Sequence, residues 1–249
     1  LALREDEKAD LDNSGGNSGP TDDLTEFWAA GVIPFEIDNI GKVFIQVIDL
    51  NRFFNLNNLL QPNGRVNKFE LNRFRLLLTE LDLDPELAEN LADWLDADEK
   101  EEGYQSESDS YERLEPPYQA GNRAMSDVSE LRLVSGFTPE VVRTLAPYVC
   151  AVKLKGVLPL NINTAVDYAL TSLEEINSDN SISLRGAQNI ISNRPYESVA
   201  DFDGQGVVSA LRQHSPPDDG SALTNRYDVK SNYFEINVQA NYAGTTAYL

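Results

Sequence analysis

Near its C-terminal end the chain alternates strictly: Phe234, Ile236, Val238, Ala240 and Tyr242 are interleaved with Glu235, Asn237, Gln239 and Asn241. A period of two sends one set to each face of an extended backbone, so this stretch reads as a half-buried strand. A strand cannot stand alone, because its open N–H and C=O groups need a neighbour. The matching pattern lies near the other end of the sequence. From Gly41 to Leu50, Val43, Ile45 and Val47 share one face against Lys42, Phe44, Gln46 and Ile48, which reads as a mostly buried strand. The short run Phe53-Phe54-Asn55-Leu56 is expected to continue the same sheet. The two long strands are expected to be antiparallel neighbours, or nearly so.

Between them the pattern is helical. Asn67 is placed as an N-cap with Glu70 three residues on, ahead of Phe69, Phe74, Leu77, Leu78 and Leu81. Asp84-Pro85 opens a second helix carrying Leu87, Leu91, Trp94 and Leu95, and Thr138-Pro139 opens a third. Asn163 is expected to cap a helix through Ala165, Tyr168 and Leu173, and Ser183 one through Ala187, Ile190 and Ile191. The reading is an α+β fold, an antiparallel sheet with a large helical domain inserted between its strands. Residues 1–65 then hold a helix end, a linker and the first strands. Residues 66–205 form the helical insertion, and 206–249 return to the sheet. Within the first part, Leu1–Leu11 suits the end of an amphipathic helix, and Asp12–Asp23, rich in Gly, Ser and Asn, reads as a flexible linker.

Charge narrows the function. Forty-one acidic against twenty basic residues give a formal net charge of -21, which repels a phosphate backbone and anionic lipid but suits cations and basic protein surfaces. Cys150 is the only cysteine, so no internal disulfide can form, and its expected role is that of a small apolar residue. No apolar run reaches the length of a membrane helix. The one histidine, His214, falls in the turn-rich Gln213-His214-Ser215-Pro216-Pro217, and no glycine-flanked nucleophile turn is present. No catalytic residues are assigned, and the chain is read as a non-enzyme.

Two stretches carry more specific signals. Asn161-Ile162-Asn163-Thr164-Ala165, Ala187, Ile190-Ile191, Arg194-Pro195 and Asp201-Phe202 resemble the second half of a helix-hairpin-helix unit. Nucleic-acid-binding versions need a glycine-rich hairpin whose N–H groups reach phosphate. Here the connection Ile176-Asn177-Ser178-Asp179-Asn180-Ser181 has no glycine, so nucleic-acid binding stands only as the alternative function. The second stretch runs from Asp93 to Glu115, where Asp93, Asp96, Asp98, Glu99, Glu101, Glu102, Glu107, Asp109, Glu112 and Glu115 face only Lys100 and Arg113. So many carboxylates must be solvated, protonated or bridged by a cation. The following Pro116-Pro117-Tyr118 and Asn122 suggest an ordered loop, although the spacing of an EF-hand is absent.

Taken in order, Phe54-Asn55-Leu56-Asn57-Asn58-Leu59, Leu91-Ala92-Asp93-Trp94-Leu95-Asp96-Ala97-Asp98, Pro116-Pro117-Tyr118, Asn122, Ser129-Glu130-Leu131 and Asn161-Ile162-Asn163-Thr164-Ala165 resemble the K-type minor pseudopilins of type II secretion systems. The motifs cover most of residues 41–205. The resemblance implies a pilin-like sheet on an N-terminal helix with a helical domain inserted between strands. It further implies a periplasmic subunit of an inner-membrane-anchored protein in a Gram-negative bacterium. Such a subunit joins I-type and J-type, and also H-type, minor pseudopilins at the tip of a short fibre. The family's leader and hydrophobic first helix do not appear in this sequence, which is expected to begin after them, with membrane contact only through that helix. The family's Gly-x-Glu-Asp segment is altered: Gly103 is followed only at Glu107, with Ser108 where aspartate is usual.

With the acidic loop, this leads to a structural calcium site, or two neighbouring ones, between Asp96 and Glu130. Calcium accepts six to eight oxygen ligands in flexible geometry. The candidate ligands are Asp96, Asp98, Glu107, Asp109, Asn122 and Glu130.

Overall fold

The computed structural model describes residues 21–37, 41–96, 111–113, 115–174, 182–206, 211, 214–215 and 224–249. A four-stranded antiparallel sheet in the order β1-β2-β9-β10 joins the two ends of the chain. Its strands are β1 (Ile33–Ile37), β2 (Gly41–Asp49), β9 (Phe234–Tyr242) and β10 (Thr245–Tyr248). The two strands predicted from alternation are direct neighbours over their whole length, from Gly41 opposite Tyr242 to Asp49 opposite Phe234.

Between β2 and β9 the longest elements are helices: α1 (Lys68–Glu80), α2 (Leu87–Leu95), α3 (Pro139–Leu145), α4 (Asp167–Thr171), α5 (Leu184–Ser192) and α6 (Val199–Gly204). They are joined by loops and by two-residue strands, β3 (Phe54–Asn55) through β8 (Tyr227–Asp228). Three predicted caps are in place. The side chains of Asn67, Thr138 and Ser183 accept from the N–H of Glu70, Val141 and Gly186, satisfying donors a helix start leaves open.

Four expectations are corrected. Phe54–Asn55 does not extend the main sheet; it pairs in parallel with β4 (Val149–Cys150) inside the helical part. Asn163 does not cap a helix, because its amide is bound to both backbone groups of Tyr196, and α4 starts at Asp167 after Val166, with no side-chain cap. Strand β2 is not mostly buried: only Gly41 and Asp49 at its ends are. The end of the supposed linker is also fixed in place. Asp22 bonds through its N–H to the Val229 carbonyl at 3.1 Å, and its Oδ2 accepts the Ser231 N–H at 2.8 Å.

Two apolar cores fill the helical part. One gathers Phe54, Leu56 and Leu59 with α1, α2 and Leu145; the other gathers Leu160 and Ile162 with α4, α5, Tyr196, Phe202 and Tyr227. Asparagines tie loops to these cores by a repeated device, in which the side-chain amide copies a strand neighbour and meets both groups of one distant residue. Asn55 does so with Val152 (2.9 and 3.0 Å), Asn58 with Leu158 (2.8 and 3.0 Å), and Asn163 with Tyr196 (2.8 and 3.0 Å). Buried backbone groups in irregular segments must find such partners. The asparagine-rich stretch thereby replaces a regular sheet.

A charged cluster joins the two cores. Glu70 pairs with Arg73 at 2.8 Å, and Glu174 with Arg226 at 2.9 Å; all four side chains are at most 1% exposed. Arg73 also reaches the carbonyl and hydroxyl of Ser172, and Asn72 donates to the second oxygen of Glu174 at 2.7 Å. Buried charges are tolerated when paired and hydrogen-bonded in this way.

Candidate functional site

The sheet presents an unusual surface. In an antiparallel pair, residues directly opposite share a face. The registers therefore place Ile33, Phe35 and Ile37 of β1 beside Val43, Ile45 and Val47 of β2, then Ile236, Val238, Ala240 and Tyr242 of β9 and Ala247 of β10. Leu249 extends the row by exchanging both backbone bonds with Val238 at 2.8 and 2.9 Å. The opposite face mixes Glu36, Lys42, Gln46, Asn237 and Gln239 with Phe44 and Tyr248. None of the apolar members just named is buried, and Ile236, Tyr242 and Phe35 are 52%, 52% and 46% exposed. At one end the turn Phe27–Ala29 closes over the sheet, with Trp28 edge-on to Phe234 at 5.2 Å. A continuous apolar face of this kind marks a contact surface.

Of the predicted metal ligands, Asp96 and Asn122 lie at the C-terminal end of α2. Asp96 leaves the helix in extended conformation and is 4% exposed; Asp93, one turn earlier, is also buried. Asn122 lies against the same helix end, its backbone in the left-handed region (φ 43°) and its N–H on the Trp94 carbonyl at 2.9 Å. This approach requires Gly121 to lack a side chain, since a Cβ there would stand 2.9 Å from Trp94 Nε1. An aromatic cluster braces the arrangement: Trp94 meets Tyr111 at 5.3 Å, and Tyr111 meets Tyr118 at 5.3 Å. The Tyr118 hydroxyl then donates to the Leu133 carbonyl at 3.0 Å.

Glu130 is placed differently. Its Oε1 accepts the Ser126 N–H at 2.7 Å and its Oε2 pairs with Arg123 at 3.2 Å, so its carboxylate closes the turn that follows Asn122. Asp98, Glu107 and Asp109 lie outside the described residues. Among the described residues, no three His, Cys, Asp or Glu converge as a metal-binding group. Asp96 has carboxylate oxygens and Asn122 an amide oxygen, the donor types that an oxygen-ligated cation takes, and the buried Asp93 lies one turn before Asp96. His214 lies on β6 (His214–Ser215), opposite Asn225.

Sequence reasoning found the strands of the apolar face but missed its outer members. Pro34 hid β1, and the short Thr245–Tyr248 strand went unread. The alternation in Phe35 and Ile37 was the available signal.

The described residues thus define an α+β fold in which strands from either side of a helical insertion form one sheet with a partly exposed apolar face. The comparisons give the family. A family profile described as "Type II secretion system (T2SS), protein K" matches residues 52–154. The Type II secretion system protein K of Pseudomonas aeruginosa is 37% identical over 190 residues, 73% of this chain and 56% of that protein. The Aeromonas hydrophila protein of the same name is 31% identical over 241 residues, 91% of this chain and 70% of that protein. The chain belongs to the type II secretion system protein K family. It spans little more than half of the Pseudomonas aeruginosa relative. A chain in the crystal structure of the GspK-GspI-GspJ complex from the enterotoxigenic Escherichia coli type 2 secretion system shares the fold, with a TM-score of 0.69 and 23% identity over 99% of this chain and 83% of that one. Among the described residues no helix is long and apolar enough to cross a membrane.

Proposed function

We propose that this chain is a structural minor pseudopilin that assembles with I-type, J-type and H-type minor pseudopilins at the tip of the type II secretion pseudopilus. It works in the periplasm, on a protein anchored in the inner membrane through an N-terminal helix, and it supports protein export across the outer membrane. Residues 66–205 act as an inserted helical domain on a pilin-like frame drawn from 1–65 and 206–249, with Phe54–Leu59 and Tyr227–Asp228 packed into the insertion instead of the frame. The observation that carries this reading is the apolar face running across all four strands of the sheet, whose members are only partly buried or exposed. The family supports it, as does the shared fold with a chain crystallised together with GspI and GspJ. The role is structural and not catalytic, and the charge of -21 disfavours a nucleic-acid partner. Co-purification with folded I-type and J-type pseudopilins of the same secretion system tests the proposal. A stable complex is expected; no complex with either partner overturns it.

A structural calcium ion forms the second part of the proposal. Asp96 and Asn122 would hold it, with Asp98, Glu107, Asp109 and Glu130 as the remaining candidates. Its support is the pair of buried carboxylates at the α2 end and the acidity of the segment that follows. Calcium would supply positive charge that fixes the loop to the helix.

A further inference from the structure

The two edges of the sheet differ. β1, at one edge, carries Pro34, which has no N–H to offer a neighbour, and Glu36, paired with Lys42 at 3.9 Å. Prolines and charges of this kind keep a sheet edge from accepting another strand. β10, at the other edge, has neither. Its residues Thr245, Thr246, Ala247 and Tyr248 are uncharged and all exposed, and among the described residues its one neighbour in the sheet is β9. No charged side chain occurs anywhere from Ile236 to Leu249.

The register shows which groups this open edge presents. Leu249 and Val238 exchange both backbone bonds. Bonded and non-bonded pairs alternate along an antiparallel ladder, so Ala247 with Ala240 and Thr245 with Tyr242 are the next bonded pairs. Thr246 and Tyr248 therefore turn their N–H and C=O groups away from β9. The two-residue turn between the strands, with Ala243 at φ 48° and Gly244 at φ 83°, fixes that register.

A second β10 matches these groups. When two such strands run antiparallel about a two-fold axis through Ala247, Thr246 of each copy can exchange both backbone bonds with Tyr248 of the other, and every outward group between them is used. Ala247 then faces its own equivalent, a small residue at the closest approach. Thr246 lies beside Tyr248 of the second copy, a β-branched and aromatic pair of the kind that stabilises neighbouring strands. The copies meet where neither carries a charge, so the repulsion between two chains of net charge -21 is weakest at this contact.

We propose that β10 is a self-pairing edge through which two copies of this chain join into one continuous sheet, two-fold symmetric about Ala247. The pairing uses the edge of the sheet and not its apolar face, and it does not rest on the pseudopilin reading. Sedimentation of the whole chain from about 10 μM to about 1 mM covers the range down to weak association. The mass should rise toward that of a dimer with concentration, and more steeply when salt screens the repulsion between copies. Tyr248→Pro removes an outward N–H without touching the ladder to β9, and Tyr248→Lys puts a charge on the edge with the backbone intact. Each is expected to weaken association at least about tenfold while circular dichroism shows an unchanged fold. Cross-linking reads the position of the axis. The non-bonded pair there sets its Cα atoms about 4.5 Å apart, within disulfide range. Ala247→Cys should therefore give a disulfide-linked dimer in oxidised glutathione. Thr245→Cys, opposite Leu249 of the second copy, should not, and Cys150 is buried. A parent that stays monomeric to about 1 mM overturns the proposal. So does a dimer that both Tyr248 variants leave intact, or one that Ala247→Cys fails to trap.

Discussion

Asn57 and Met125 exchange two hydrogen bonds across 68 positions of sequence: the Met125 N–H donates to Asn57 Oδ1 at 2.7 Å, and Asn57 Nδ2 donates to the Met125 carbonyl at 3.0 Å. Both residues are buried, so truncation leaves two backbone groups without partners and without water. Each such group costs about 1–3 kcal/mol. Asn57→Ala is therefore expected to lose about 3 kcal/mol in urea denaturation, with a melting temperature lower by roughly 10 °C. A loss below about 1 kcal/mol would mean that the loop is held by other contacts.

Arg226 closes the charged cluster between the two cores. Removing it leaves Glu174 buried without its ion-pair partner and weakens the field that holds Glu70. Arg226→Met is expected to cost about 3–5 kcal/mol, the range for breaking a buried pair. Replacing Arg226 and Glu174 together by apolar residues should recover part of that loss. Equal losses for the single and double variants would show that the residues do not act as a pair.

Asp49 gives stability a distinct pH dependence. Burial, the largest influence, raises its pKa above the ordinary 3.8, while hydrogen bonds from Thr164, Ser231 and Asn51 and the Arg52 charge oppose the rise. In the unfolded chain the group ionises near its ordinary value; in the fold it holds its proton to higher pH. Stability therefore falls as pH rises from about 3.8 through the raised folded value. Asp49→Asn lacks this titration, so the stability of the parent relative to Asp49→Asn should decline across that window. A difference that stays constant between about pH 3.5 and 6 contradicts the assignment.

Calcium should stabilise the parent through Asp96. Binding only to the folded state adds about 2.7 kcal/mol at 100 times the dissociation constant. Melts in calcium, magnesium and chelator are compared for the parent and for Asp96→Ala combined with Asp98→Ala. A rise of several degrees in calcium is expected for the parent and none for the variant; identical parent melts in all three remove the site.

Much of this architecture could be read from residue patterns, and the exceptions have physical causes. Strands β2 and β9 were legible because alternation survives wherever two faces differ. Their burial was not, since the pattern shows that Val43, Ile45 and Val47 want cover and says nothing about what provides it. Helix starts at Asn67, Thr138 and Ser183 were legible because a cap is a local interaction. Asn163 misled for the converse reason: the same side chain that caps a helix can bind a distant peptide, and only the position of Tyr196 decides between them. Asn55, Asn57 and Asn58 were visible as a family motif, yet their partners Val152, Met125 and Leu158 are set by tertiary packing. Strand β1 was masked by Pro34, which an edge strand tolerates because its outer side forms no ladder.

The central claim is that the apolar face of the sheet is an assembly surface, and charge placed on it addresses that claim most directly. Phe35 and Ile236 are each about half exposed, so Phe35→Glu and Ile236→Lys should leave folding within about 0.5 kcal/mol of the parent. Binding to the I-type and J-type pseudopilins is then measured for the parent and for each variant, with circular dichroism confirming the fold. The account predicts a complex for the parent and at least about tenfold weaker binding for both variants, the effect of 1.4 kcal/mol. Variants that fold and bind as tightly as the parent would contradict it.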